Sequence, residues 1–96
     1  MSFSLLFQPE AEEQLAALER ADKRKHRKVL SCLGKLETNP KHPVLHSHRY
    51  EALDDVDGER IWESYAENKT PAAFRVFWHY GPERGEITVV AITKHP

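Results

Sequence analysis

Three β-like segments follow one another in the last third of the chain, and they restrict the fold more than any other feature. Residues 60–66 (RIWESYA), 73–80 (AFRVFWHY) and 87–95 (ITVVAITKH) are rich in β-branched and aromatic residues, as half-buried strands are. Gly81-Pro82-Glu83-Arg84-Gly85 is a turn cluster and predicts that the last two strands form a hairpin. Three consecutive strands of this length need a partner layer to cover one face.

The first part of the chain supplies that layer. Residues 3–7 (FSLLF) read as a short strand with Phe3, Leu5 and Phe7 on one face. Pro9 opens a helix whose first turn carries Glu10, Glu12 and Glu13, where the helix dipole favours acids. Ala11, Leu15 and Leu18 recur at helical spacing. Asp22 is an N-cap candidate for a second helix, on which Val29, Leu33 and Leu36 recur at three and four residues with Leu30 beside them. Thr38-Asn39-Pro40 ends that helix. The short gap between the helices implies an antiparallel helical hairpin. Pro40, Pro43 and the acidic run DDVDGE predict a long surface loop over 40–59, with room for a short strand near 44–50. The expected fold is α+β, ordered β-α-α-β-β-β, with a small antiparallel sheet carrying the helical hairpin on one face and the other face open. At 96 residues the chain is expected to form a single domain, 1–96.

Strand parity sorts the side chains. In 73–80 the even residues Phe74, Val76, Trp78 and Tyr80 make the better core, together with Val90 and Ile92 of the last strand. The odd residues are then expected on the open face: Ala73, Arg75, Phe77 and His79, then Ile87, Val89, Ala91, Thr93 and His95. A turn centred near Glu83 would set Arg75 opposite Ala91. Glu63 and Tyr65 join the same face if the preceding pair is also odd-to-odd.

Composition bounds the remaining choices. With 40% hydrophobic and 30% charged residues the chain is an ordinary globular one. No apolar run is long enough to span a bilayer, and MSFSLLFQPE lacks the basic and apolar regions of a signal peptide. Cys32 is the single cysteine; with Val29, Leu30, Leu33 and Leu36 near it suggesting a buried helix face, it reads as a packed core thiol. These features fit a reducing cytoplasm. The net charge of −1 hides an asymmetry, with six Lys/Arg in residues 20–28 (RADKRKHRK) and five acids in 51–59 (EALDDVDGE). A basic helix can hold a polyanion through its phosphates, or it can simply be a solvated face.

An arginine and a histidine on one face suit a phosphodiester. RNA is cut without metal or cofactor when the ribose 2′-OH attacks the neighbouring phosphate. That step needs a base, a cation for the phosphorane charge, and an acid for the leaving 5′-oxygen. Arg75 can bind two phosphate oxygens at once. Glu63 or His95 could be the base, and His95 is the natural acid. Tyr65 and Phe77 could stack on bases. The plainer alternative for Arg75 is an ion pair with a carboxylate such as Glu63. His42, His46 and His48 fall within seven residues, but no Cys or His pair has the spacing of a structural zinc site. No metal is expected, and these histidines read as polar surface loop.

The order β-α-α-β-β-β, with Ile61-Trp62-Glu63 followed by Phe74-Arg75-Val76-Phe77-Trp78, resembles the RelE/ParE superfamily of bacterial toxins. The helix end Leu36…Asn39-Pro40 and the closing Ala91-Ile92-Thr93-Lys94-His95-Pro96 resemble it too, so the similarity covers essentially the whole chain. It implies one half of a type II toxin–antitoxin pair, with a cognate antitoxin as partner and DNA contacted only through the antitoxin complex. RelE-like members are ribosome-dependent endoribonucleases that cleave mRNA in the A site; ParE-like members poison DNA gyrase. The catalytic middle-strand arginine of the ribonuclease branch matches Arg75, and a histidine near the C-terminus of some members matches His95. Glu63 falls where members carry a glutamate or a catalytic lysine. The basic second helix that touches ribosomal RNA matches Lys23, Arg24, Lys25, Arg27 and Lys28. The lysine pair on the strand before the arginine is absent here, with Ile61 and Glu63 in its place, and no tyrosine follows His95. The leading expectation is an mRNA endonuclease acting through Arg75, His95, Glu63 and Tyr65. A gyrase poison and a catalytically silent antitoxin-binding member are the alternatives.

Overall fold

The computed structural model describes residues 2–54 and 58–94, and of residues 52–54 only the backbone. The elements run β1 (Ser4–Phe7), α1 (Pro9–Ala21), α2 (Lys23–Thr38), a short 3-10 turn (Pro43–Leu45), β2 (His48–Asp54), β3 (Arg60–Tyr65), β4 (Phe74–Tyr80) and β5 (Glu86–Lys94). One sheet holds all the strands in the order β1-β5-β4-β3-β2. The fold is α+β, as expected, with two differences in the sheet. A strand, β2, stands where a long loop was expected, and it begins at His48, after the 3-10 turn that fills the start of 44–50. β1 joins β5 in parallel, while the other pairs are antiparallel.

Asp22 links the helices by itself. Its backbone N–H caps α1 at the Leu18 carbonyl, and its carboxylate accepts the Lys25 N–H at 3.1 Å to start α2. Val29, Cys32, Leu33 and Leu36 form the buried stripe of α2, at the spacing of one helix face. They meet Ala11 and Leu18 of α1 and Val76, Trp78, Ile87, Val89 and Ile92 of the sheet. Leu30 departs from the expected stripe and is 46% exposed.

A bulge in β5 decides which residues face this core. Phe77 pairs with Ala91 but Trp78 pairs with Val89, so Val90 is the extra residue. Parity flips there. Ile87 and Val89 therefore lie in the core rather than on the outer face, and Val90 points outward to Phe77 and Ile61. Arg75 lies opposite Thr93, not Ala91. The outer face is not open along β4, because Ile61, Phe77 and Val90 form a second apolar cluster supported by Tyr50 and Ala91. Arg75, Phe77 and His79 are all buried. Beyond the end of β1, the Ile92 N–H is taken by the Gln14 side chain of α1 at 2.7 Å. No helix among the described residues is long and apolar enough to cross a membrane.

Candidate functional site

β3 and β4 pair odd-to-odd, with Glu63 opposite Phe77 and Tyr65 opposite Arg75. Glu63, Tyr65 and Arg75 therefore share the outer face at the end of the sheet where β3 stops and β4 begins. The Arg75 guanidinium carbon lies 3.7 Å from the centre of the Tyr65 ring, a cation–π contact. Its Nη1 donates to the Glu67 carbonyl at 2.5 Å and to the Phe74 carbonyl at 3.3 Å. Its Nε lies 3.5 Å from Glu63 Oε2, an ion pair by distance, but the N–H is not aligned for a hydrogen bond and is otherwise unpartnered. No hydrogen bond of Nη2 is seen among the described residues.

Glu63 is 1% exposed, and its second oxygen reaches a residue from β2. His48 Nε2 lies 2.9 Å from Glu63 Oε1, and His48 Nδ1 lies 2.8 Å from the His46 carbonyl oxygen. The carbonyl can only accept, so Nδ1 carries a hydrogen. With Glu63 ionised, both bonds form together only when Nε2 carries one too. His46 closes the 3-10 turn in a left-handed conformation, with φ 49 and ψ 37. Its ring centre lies 5.1 Å from that of Tyr65, and the His48 ring meets the same tyrosine edge-on at 5.8 Å.

The basic helix comes to this end of the sheet. Arg24, Arg27, Lys28 and Lys35 of α2 wall a cleft of about 380 Å³ whose far side includes Tyr65 and Ala66. Cys32 also borders it, and burial pushes its thiol up to about 12, against a smaller opposing pull from Lys35. Lys25 turns the other way. Its Nζ binds both Glu67 oxygens, at 2.9 and 3.2 Å, and sits 5.8 Å from the Phe74 ring centre. Lys23 is exposed and does not border the cleft. Glu67 thus ties α2 to the site: its side chain holds Lys25 and the Phe74 N–H, and its carbonyl holds Arg75.

Of the residues singled out from the sequence, Arg75, Glu63 and Tyr65 come together, and Arg24, Arg27 and Lys28 face the same region. His95 lies outside the described residues. His46 and His48 were read as surface loop, and the structure places both against Tyr65. The His-x-His spacing was the available signal, but it carries no direction until His48 is known to start a strand. Among the described residues no group of His, Cys, Asp or Glu side chains is placed to hold a metal ion.

No family model and no curated protein matches the chain. Solved structures do. A YoeB/ParE toxin from Agrobacterium tumefaciens superposes with a TM-score of 0.74 at 13% identity, over 98% of this chain and all (100%) of that one. The archaeal RelE–RelB complex from Pyrococcus horikoshii gives 0.69 at 14% identity, over 98% of this chain and 96% of that one. A heterotetrameric YoeB–YefM toxin–antitoxin complex from Staphylococcus aureus gives 0.68 at 13% identity, over 100% of both chains. At these identities the likeness shows the fold: the chain has the RelE/YoeB architecture over 98% of its length in both the first and second of these matches.

Proposed function

We propose that this chain is the toxin of a type II toxin–antitoxin pair and that it cleaves mRNA on the ribosome. The observation that carries the reading is the junction of two features. A cleft walled by Arg24, Arg27, Lys28 and Lys35 is also lined by Tyr65, and Tyr65 lies on the guanidinium of Arg75. A phosphodiester chain following the cleft would pass Tyr65, with the buried cation against it. Of the solved structures that share the fold, one is described as a YoeB/ParE toxin, one as a RelE–RelB complex and one as a YoeB–YefM toxin–antitoxin complex.

In this reading, α2 docks on ribosomal RNA through Arg24, Arg27 and Lys28, with Lys23 beside them. Arg75 opposes the charge that builds on the phosphorane through Nη2. Tyr65 shapes the approach and offers a ring to a base. Glu63 holds Arg75 and His48 and does not itself touch substrate, because it is buried between them. His95 gives a proton to the leaving 5′-oxygen. The products are a 2′,3′-cyclic phosphate and a 5′-hydroxyl, with no metal or cofactor. The cognate antitoxin is the protein partner, the chain works in the cytoplasm as a single domain, and DNA is met only through the antitoxin complex.

The test is tightly induced expression of wild type, Arg75→Ala and His95→Ala, with RNA 5′ ends mapped in the arrested cells. Cuts inside translated codons that vanish in both variants are expected. One observation favours a second reading: Arg75 is 6% exposed and already paired, as a purely structural arginine would be. A silent member that only binds its antitoxin would leave growth and mRNA intact, and a gyrase poison would arrest growth with mRNA intact.

A further inference from the structure

A ribose 2′-OH must lose its proton to some group, and the structure narrows the choice. Glu63 has its carboxylate enclosed between His48 and Arg75. His48 has both ring nitrogens committed, one to Glu63 and one to the His46 carbonyl. His46 is different. Its side chain is exposed, and its ring nitrogens have no partner among the described residues. Its ring stacks obliquely on Tyr65, the residue that carries Arg75 and borders the basic cleft.

The backbone around His46 is held more firmly than an idle surface histidine requires. A left-handed φ of 49 on a residue other than glycine is sparsely populated and persists where the surroundings over-determine it. Here the His46 N–H donates to Pro43 O at 3.2 Å, and its carbonyl accepts from His48 at 2.8 Å. The next residue, Ser47, ties its hydroxyl to Pro40 O at 2.8 Å and to Ser64 Oγ at 2.6 Å. His48 is in turn fixed by buried Glu63.

We propose that His46 is the catalytic base of this site, and that His48 and Glu63 are positioning residues which act through its main chain. The proposal rests on the ribonuclease reading above. A neutral ring nitrogen of His46 takes the proton of the 2′-OH, and O2′ forms the new bond to phosphorus. The P–O5′ bond breaks with its electron pair leaving on O5′, and O5′ takes the proton proposed to come from His95. His46 leaves the step protonated and returns its proton to solvent.

The test is single-turnover cleavage of ribosome-bound mRNA across a pH series by wild type, His46→Asn and Arg75→Ala. Asparagine tolerates the left-handed backbone and cannot act as the base, and equal melting temperatures would show that the fold is kept. The groups that face His46 and could enter the profile are His48, Tyr65, Lys41, His42 and Tyr80, with Glu63 and Arg75 behind them. Expected are a loss of roughly 100-fold or more at neutral pH, a flattened acid limb, and unchanged ribosome affinity. An RNA with sulfur in place of the bridging O5′ has a leaving group that needs no proton, so it should not rescue His46→Asn. Rescue would make His46 the acid and overturn the assignment. So would a wild-type rate and pH profile in His46→Asn while Arg75→Ala is inactive. A wild type that does not cut would instead sink the ribonuclease reading, and His46 with it.

Discussion

Lys25 points away from the basic cleft and grips Glu67, its Nζ 2.9 Å from Oε1, although it sits in the middle of the most basic stretch of the chain. Its neighbours Arg24, Arg27 and Lys28 face the cleft instead. One run of charge is therefore divided between two tasks by helix geometry. Lys25 is only 23% exposed and holds a carboxylate that also accepts from the Phe74 N–H.

The division predicts separable effects. For a short single-stranded RNA, replacing Arg24, Arg27 and Lys28 together by Ala should weaken binding and flatten the plot of log affinity against log salt by about 2, since each lost phosphate contact removes about 0.7. Lys25→Ala should leave that slope unchanged and destabilise the fold by about 1–3 kcal/mol, because Glu67 loses its charged partner. Binding titrations at several salt concentrations, beside thermal melts, check both. An equal change of slope in the two variants would contradict the division.

Glu63 predicts a larger loss. Its carboxylate is the buried counter-charge of Arg75 and the partner of His48. Glu63→Ala leaves the guanidinium buried without its counter-charge, and breaking a buried pair in this way costs about 3–5 kcal/mol. Glu63→Gln keeps the shape and one acceptor, so it should lose less. Urea denaturation of both variants measures the difference, and a neutral Glu63→Ala would show that the pair contributes nothing.

The outline of the fold was legible because α2 repeats Val29, Cys32, Leu33 and Leu36 at helical spacing and β4 alternates around Arg75. Residues set by tertiary events were not. The bulge at Val90 flips the parity of β5, and the apolar run Ile87-Thr88-Val89-Val90-Ala91-Ile92 reads equally well on either face. β2 was hidden by Pro40 and Pro43, which belong to the turn before it. In the site, Arg75, Glu63 and Tyr65 were brought together by simple odd-to-odd pairing. His46 and His48 were not, because their place depends on the 3-10 turn ahead of β2.

Ser64 should show how the helix-facing side supports the site. Its hydroxyl accepts the Trp78 Nε1–H at 2.8 Å and meets Ser47 Oγ at 2.6 Å, all beneath the turn that carries His46. Ser64→Ala leaves the buried indole N–H without a partner, a cost of about 1–3 kcal/mol. Differential scanning calorimetry reads the loss, and amide exchange over 43–47 should quicken because Ser47 is released.

Cys32 gives a pH prediction whose sign follows from burial. Desolvation raises its thiol from 9.0 to about 12 in the folded chain, with Lys35 pulling weakly the other way. Unfolding frees the thiol to ionise near its ordinary value. The stability it contributes is therefore fully present below pH 9 and is lost as pH rises from about 9 toward 12. The slope is at most about 1.4 kcal/mol per pH unit. Cys32→Ala lacks this component, so the stability gap between wild type and variant should narrow on the alkaline side. Iodoacetamide at pH 8 should leave the native thiol unmodified and label it once urea unfolds the chain. Rapid labelling of the folded protein would show that the cleft floor opens to solvent and would remove the basis for the alkaline trend.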